Sequence, residues 1–318
     1  MKHKLLYIIA SLAFCISCNK GNSDLSYQSV GYIEGITIND VLKYTDSTFF
    51  FAGENNENEG VIGIYNTGTK ESTIKEFDEV VYGLSLSDHA IWACGENLFL
   101  YKSRDDGYSW DRVSSFKYVD DVDMSDLKEV YAVGDKPIFG IGYRHMLDGR
   151  FYNPNPIPYY PFKISSIKMG PTDMLVFDTT DMYIAGYGSV LHVNGSRAEP
   201  IYCDVGGELF TGITRGGDKS VVTCTHSGAI YTFNFIDEEW KKEYDGSIQF
   251  RHIIGDTYGN IIAFGNKRYA VVSNDYGDNW AELKYPDARN VTSVSLYDNN
   301  FYIGTNKGQI IQFDTEQL

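Results

Sequence analysis

The chain has 318 residues, with 27 basic and 43 acidic side chains and a formal net charge of −16. That balance excludes a general electrostatic attraction to nucleic acid or anionic lipid. A hydrophobic share of 43% with 22% charged residues excludes a disordered chain. Twenty-five Tyr, 18 Phe and 31 Gly against 8 Pro point to strands joined by tight turns, hence to an all-β fold.

In chain order, the first feature is an address. Lys2 and Lys4 precede an apolar run from Leu5 to Ile16, too short to span a bilayer as a helix but the right length for a signal-peptide core. Ser17-Cys18 closes the run. It resembles the lipobox of bacterial lipoproteins, with Cys15 standing where such motifs usually carry Leu. The resemblance implies cleavage of residues 1–17, lipidation of Cys18 and a polar tether over 18–29. Asn19, in place of an Asp, implies the outer membrane. The expected location is therefore the bacterial cell envelope, with the membrane reached through the lipid alone. Cys94, Cys203 and Cys224 remain in the mature chain, and three thiols allow at most one disulfide. Cys94 and Cys224 lie in apolar strands and read as buried free thiols, while a Cys203–Cys224 pair stays open.

From residue 30 onward one pattern recurs: an alternating strand, a polar turn, then a second apolar strand ending in small residues. Its landmarks are Gly53, Gly95, Gly134, Gly186, Cys224, Gly265 and Gly304, spaced by 38 to 52 residues. A third strand follows each landmark, from 60–65 in the first repeat to 309–313 in the last. A repeat of about forty residues matches one four-stranded propeller blade. The expectation is a single β-propeller domain over 30–318, with seven four-stranded blades, or six if the long interval 134–186 holds no blade of its own. The last repeat lacks a fourth strand, and the segment from Tyr27 to Ile33 is placed to supply it.

Two repeats carry a sharper pattern, S-x-D-x-G-x-x-W, at 103–110 and 273–280. Ser103, Asp105, Gly107 and Trp110 match Ser273, Asp275, Gly277 and Trp280. The hydroxyl and carboxylate suit a tight turn, Gly allows positive φ, and Trp packs between blades. The motif resembles the Asp-box (BNR) repeat of sialidase-like, sortilin-type and photosystem II assembly-factor-like propellers. In those families the box is a turn between the third and fourth strands, which implies a structural role. Their activities diverge, and fold alone does not choose among them.

Chemistry is sparse. A sialidase needs three arginines on a carboxylate, yet no Arg precedes Arg104. The acidic run Asp120, Asp121, Asp123 and Asp126 begins like a calcium loop, but Asp126 stands where Gly is needed and Ala132 where Glu is needed. No zinc spacing, P-loop, GxSxG or dinucleotide fingerprint occurs, so no catalytic residue, metal or cofactor is assigned.

The expected partner face is the one shared by second-to-third-strand turns and blade links, around the channel mouth. The repeats place on it Asn55 and Asn56, Glu96 and Asn97, Asp135 and Lys136, Tyr187, His226, Asn266 with Lys267 and Arg268, and Asn306 with Lys307. Four basic residues there suggest a basic rim for an acidic partner or glycan. A second candidate is the Pro-rich loop 151–162, where Tyr152, Tyr159 and Tyr160 stand among Pro154, Pro156, Pro158 and Pro161. The function expected is non-catalytic binding or scaffolding of an envelope protein or glycan through the channel-mouth face. The alternative is a polysaccharide-acting glycoside hydrolase or glycan-binding protein on the same fold. Two carboxyl groups roughly 5–9 Å apart in an open groove would mark a hydrolase.

Overall fold

A computed structural model describes residues 27–97, 99–113, 126–133, 136–142, 172–195, 197–203, 207–266, 268–284 and 290–314. Every regular element among them is a strand, and all pairing is antiparallel. The first sheet holds β2 (Ile36–Thr45), β3 (Thr48–Asn55), β4 (Gly60–Asn66) and β5 (Glu71–Phe77), after β1 (Tyr27–Tyr32), which belongs to another sheet. The second holds β6 (Val81–Ser87), β7 (Ala90–Gly95), β8 (Leu100–Ser103) and β9 (Asp111–Arg112). A two-stranded sheet follows, β10 (Leu127–Val133) with β11 (Lys136–Gly142). Next come β12 (Asp173–Val176), β13 (Asp181–Ala185), β14 (Ser189–Asn194) and β15 (Arg197–Tyr202). The next sheet holds β16 (Phe210–Arg215), β17 (Ser220–Thr225), β18 (Ala229–Asn234) and β19 (Glu239–Asp245), and another holds β20 (Phe250–Gly255), β21 (Ile261–Gly265), β22 (Tyr269–Ser273) and β23 (Ala281–Lys284). The last holds β24 (Val291–Tyr297), β25 (Asn300–Thr305) and β26 (Gln309–Phe313).

The inner strands β2, β6, β10, β12, β16, β20 and β24 neighbour one another in order, and β24 returns to β2. This is a closed β-propeller, with six four-stranded sheets and the β10–β11 pair among the described residues. The last sheet is completed from the other end of the chain: β1 pairs with β26, and Ile33 N–H donates to Gly308 O at 2.7 Å. Closure removes two exposed sheet edges. The core is divided into layers between adjacent sheets. Phe49, Phe51, Tyr302 and Ile310 fill the layer that spans this closure. Phe264, Val272, Phe301 and Phe313 fill the next, and Trp92, Cys94, Leu127 and Val130 fill that between β6–β9 and β10–β11. Second strands are buried on both faces because each sheet is sandwiched, so they read as continuous apolar runs such as Ala90–Gly95.

One landmark shifts. Gly134 was aligned with glycines that end second strands, but β10, which precedes it, is an inner strand, and β11 is a second strand. Of the expected third strand 138–143, residues 138–142 therefore lie in a second strand, and 143 lies outside the described residues. The cause is sequence mimicry: the inner strand of this sheet runs into Ala132-Val133-Gly134, close to the Ala93-Cys94-Gly95 and Ala263-Phe264-Gly265 that end second strands. Cys94, Cys203 and Cys224 are all buried and none is in a disulfide, so the open Cys203–Cys224 pair is not formed. Burial pushes the Cys94 thiol well up and Cys224 up to about 12, which leaves both unreactive.

Candidate functional site: the channel and its mouth

Turns between second and third strands are tied to the links that precede inner strands. Glu96 N–H donates to Val80 O at 3.0 Å, His226 N–H to Leu209 O at 2.9 Å, Asn266 N–H to Gln249 O at 3.0 Å, and Asn306 N–H to Asn290 O at 3.1 Å. Tyr187 bridges Leu209 and is 55% exposed. Asn55, Asn56, Glu96, Asn97, Tyr187, His226, Asn266, Arg268, Asn306 and Lys307 thus share one face. Asn97 and Arg268 occupy the left-handed region at φ 54° and 63°, as tight two-strand turns require. Glu96 Oε2 accepts from Val80 N–H at 3.1 Å, and Asn97 N–H donates to Asp126 Oδ1 at 3.3 Å.

Lys136 does not join this face. It opens β11, next to the turn from inner to second strand, which lies at the opposite end of the sheet. The misplacement follows from the shifted Gly134 landmark. Asp135, Lys267, the loop tyrosines Tyr152, Tyr159 and Tyr160, residues 120–125 and Cys18 lie outside the described residues. Among the described residues the basic rim consists of Arg268 and Lys307, with Arg251 at the same end, at the start of β20. The same face carries Glu34, beside the Lys307-Gly308 turn, Glu57, Glu59, Glu79, Glu96 and Asp126 from the links and turns of the first sheets, and Glu208, which accepts from Ser227 Oγ at 2.8 Å. The face therefore carries both signs of charge, because links that the turn alignment left out supply the acids.

Behind the mouth, the inner strands carry a ring of dipeptides at one level: Asn39-Asp40, Tyr82-Gly83, Lys128-Glu129, Thr172-Asp173, Thr211-Gly212, Arg251-His252 and Thr292-Ser293. Six of these sit on a register shift in which the first residue bulges out of the ladder. The bulged side chain reaches the next inner strand. Asn39 Nδ2 donates to Val81 O at 3.0 Å, Thr172 Oγ1 to Phe210 O at 2.6 Å and Thr211 Oγ1 to Phe250 O at 2.9 Å. Lys128 Nζ donates to Thr172 O and Thr292 Oγ1 to Ile38 O in the same way. The second residue also serves the junction. Asp40 accepts from Val41 N–H and, across the junction, from Leu84 N–H, both at 2.8 Å. Asp173 accepts from Met174 N–H at 2.9 Å and across its junction from Ile213 N–H at 2.8 Å. At Gly83 no side chain fits: a Cβ there would stand 2.2 Å from Lys128 O.

The ring concentrates charge in a channel cavity of about 390 Å³. Lys128 Nζ lies 3.3 Å from Glu129 Oε1, and Glu129 is hydrogen-bonded to Asp173. These side chains touch channel water yet have protein around them. Burial raises Asp40 to about 7, against the pull of its two backbone donors and Lys128. Burial raises Glu129 to about 8 and Asp173 upward as well, with Lys128 opposing both, so the pair shares a proton near neutrality. Burial, then Lys128 and Arg251, hold His252 neutral by lowering it to about 3. No cluster of three His, Cys, Asp or Glu side chains is arranged to hold a metal among the described residues. None of these channel residues stands out in the sequence. Lys128-Glu129 looks like an ordinary solvated pair, and only hydrogen-bonding residues repeated ahead of Asp or Gly at inner-strand starts carried a signal.

The two S-x-D-x-G-x-x-W turns lie at the opposite end from the mouth and have the same bonds. Ser103 Oγ and Ser273 Oγ each accept from the Gly N–H four residues on, at 2.9 Å, and donate to the Asp at 2.8 Å. Asp105 and Asp275 cap Ser109 N–H at 2.8 Å and Asn279 N–H at 2.9 Å. Trp110 and Trp280 donate back to the Gly carbonyls at 3.1 and 2.8 Å. Gly107 and Gly277 have φ of 84° and 96° and press on the preceding sheet, beside Phe50 and Val222 respectively.

No protein-family profile and no curated protein matches the chain. Solved structures match across nearly all of it. YCF48 bound to a D1 peptide aligns with a TM-score of 0.70 at 14% identity, covering 91% of this chain and 97% of that one. The WD40 propeller domain of Doa1 aligns at 0.69 and 10% identity, covering 92% and 97%. Virginiamycin B lyase from Staphylococcus aureus aligns at 0.65 and 11% identity, covering 91% and 98%. At such identities the likeness establishes the fold.

Proposed function

We propose that this chain is a lipid-anchored propeller of the bacterial cell envelope, outer membrane in location, that binds a partner polypeptide on its channel-mouth face without catalysing a reaction. The carrying observation is how the channel carboxyls are used. Asp40 and Asp173 each hold two backbone N–H groups, one of them across a sheet junction. Glu129 and Asp173 lie within hydrogen-bonding distance of each other, closer than the roughly 5–9 Å that glycoside hydrolysis needs. That favours binding over the alternative of a polysaccharide-acting hydrolase. The rim offers a polypeptide charged groups of both signs at fixed turns, which orients a partner. The YCF48 structure with its D1 peptide supports a peptide ligand for this architecture. The paired hydrogen-bond sets of the two tryptophan turns support their assignment as Asp-box repeats. Cleavage before Cys18 and its lipidation complete the proposal.

Photocrosslinking in the envelope of an expressing bacterium tests it. A photoreactive amino acid replaces Tyr187 or Asn97 at the mouth, or Tyr258, exposed in the β20–β21 turn at the other end. One polypeptide should crosslink from both mouth positions and not from Tyr258. Equal labelling at both ends, or saccharide release by the purified chain, would refute it. Cys18→Ser should move the chain from the membrane to the soluble fraction.

A further inference from the structure

At the channel end opposite the mouth, three neighbouring sheets enclose a cleft of about 570 Å³. The ends of β2 and β24, the β6–β7 turn and the first tryptophan turn line it. Its chemistry is uneven. Leu42, Leu86 and Leu296 make an apolar surface, and Leu86 and Leu296 are about 40% exposed at strand ends where polar residues are usual. Tyr44 and Tyr297 add aromatic walls.

Two polar groups inside it stand out. Ser295 is only 8% exposed, and its hydroxyl has no hydrogen-bond partner among the described residues. A buried hydroxyl without a partner costs about 1–3 kcal/mol, so such groups call for an acceptor or donor from outside. Lys43 is half-buried: its Nζ lies 4.5 Å from the centre of Phe49 and 5.1 Å from that of Tyr302, and donates to Asp46 O at 2.8 Å. Those contacts leave an ammonium part-stripped of water and without a carboxylate at salt-bridge distance among the described residues. Asp88 and Asp106 stand at the cleft edge, with Asp106 accepting from Tyr44 OH at 2.5 Å.

We infer that this cleft binds a small monocarboxylate with an apolar body. The carboxylate meets the Lys43 ammonium and accepts from the Ser295 hydroxyl, while the body covers the leucines. A single negative charge fits. Asp88 and Asp106 repel a dianion such as phosphate, and they offset the two cations of the lining, Lys43 and Arg104, charge for charge. An amine of the same shape gains nothing from Lys43. The inference is independent of the mouth-face proposal, since it concerns the other end of the channel.

Fluorine NMR on the full chain tests it with 5,5,5-trifluoropentanoate, its alcohol and its amine. The carboxylate should show saturable broadening that unlabelled pentanoate reverses, and the alcohol and amine should bind at least tenfold more weakly. Lys43→Met should weaken carboxylate binding tenfold or more, Lys43→Arg should restore most of it, and Ser295→Ala should weaken it about threefold. Lys219→Met, exposed in the β16–β17 turn, should change nothing. Equal binding of the three probes, no saturable binding of the carboxylate, or full binding by folded Lys43→Met would overturn the inference. If Lys43→Met fails to fold, the carboxylate-to-amine ratio and Ser295→Ala decide.

Discussion

Gly83 and Gly212 occupy equivalent places in the inner ring, and alanine at the two should behave very differently. Neither has positive φ, so backbone conformation adds nothing to the cost. A Cβ at Gly83 would stand 2.2 Å from Lys128 O and 3.1 Å from Cys94 Sγ. The first of these atoms is backbone of the next inner strand, so relief requires β6 and β10 to part by roughly 1 Å, and ring closure resists it. At Gly212 the nearest atoms are Ile253 Cγ2 and N at 3.1 Å, a contact that a few tenths of an ångström relieves. Overpacking costs roughly 1–3 kcal/mol when side chains can yield, with backbone displacement at the upper end or beyond. Gly→Ala returns about 0.4–1 kcal/mol by restricting the unfolded chain. The expected net is a loss of about 2–3 kcal/mol for Gly83→Ala and about 0–1 kcal/mol for Gly212→Ala. Urea unfolding followed by tryptophan fluorescence measures both, with the midpoint reporting stability if the slope is unchanged. Equal losses, or a larger one at Gly212, would refute the idea that direct backbone contact holds the β6–β10 junction.

Other expectations follow from the same contacts. Ser103→Ala and Ser273→Ala each remove one acceptor and one donor of a tryptophan turn, so each should cost about 1–2 kcal/mol and the two should agree; a null effect at either, seen in the same urea assay, would separate the turns. Glu129 is about 8 in the folded protein against an ordinary carboxyl of about 4.3, so the folded chain binds more protons between these values and this group's contribution to stability must fall as pH rises through them. The loss from pH 5 to 9 should be on the order of 1–2 kcal/mol after screening by solvent, and Glu129→Gln should make it smaller, with Asp40 and Asp173, also raised by burial, keeping the rest; an equal or steeper loss in Glu129→Gln would contradict the burial argument. Gly308 has φ 74°, and a Cβ there would stand 1.9 Å from Ile33 O, so Gly308→Ala should cost about 3 kcal/mol and speed hydrogen exchange in β1 and β26 ahead of the other strands.

Much of the architecture was legible because sandwiched sheets impose a coarse, repeated hydrophobic pattern. The second strands, the closing segment from Tyr27 and the two tryptophan turns each carry their signal within ten residues or so. The third sheet was misregistered because its inner strand ends in Ala132-Val133-Gly134, a good imitation of a second strand. The pitch is steadier when counted on the ring, whose second residues fall at 40, 83, 129, 173, 212, 252 and 293. That ring was not legible. Its residues are Asp, Gly, Glu, Asp, Gly, His and Ser, with no shared chemistry, because what repeats is a backbone bulge and a junction to be bridged.

The ring also explains why conspicuous charge in the channel need not mean catalysis. Neighbouring inner strands can meet directly, as Gly83 does with Lys128, or stand apart and be bridged by a carboxylate, as Asp40 does to Leu84 and Asp173 to Ile213. A bridging carboxylate must sit at the channel edge, where burial raises it and a nearby cation lowers it. Lys128 supplies that cation and at the same time bonds Thr172 O across the junction with the next sheet. Each of Asp40, Asp173 and Lys128 is thus committed to holding sheets together before any ligand arrives. Recognition is left to groups with spare capacity: the turns and links at the mouth, and Lys43 with the Ser295 hydroxyl at the other end.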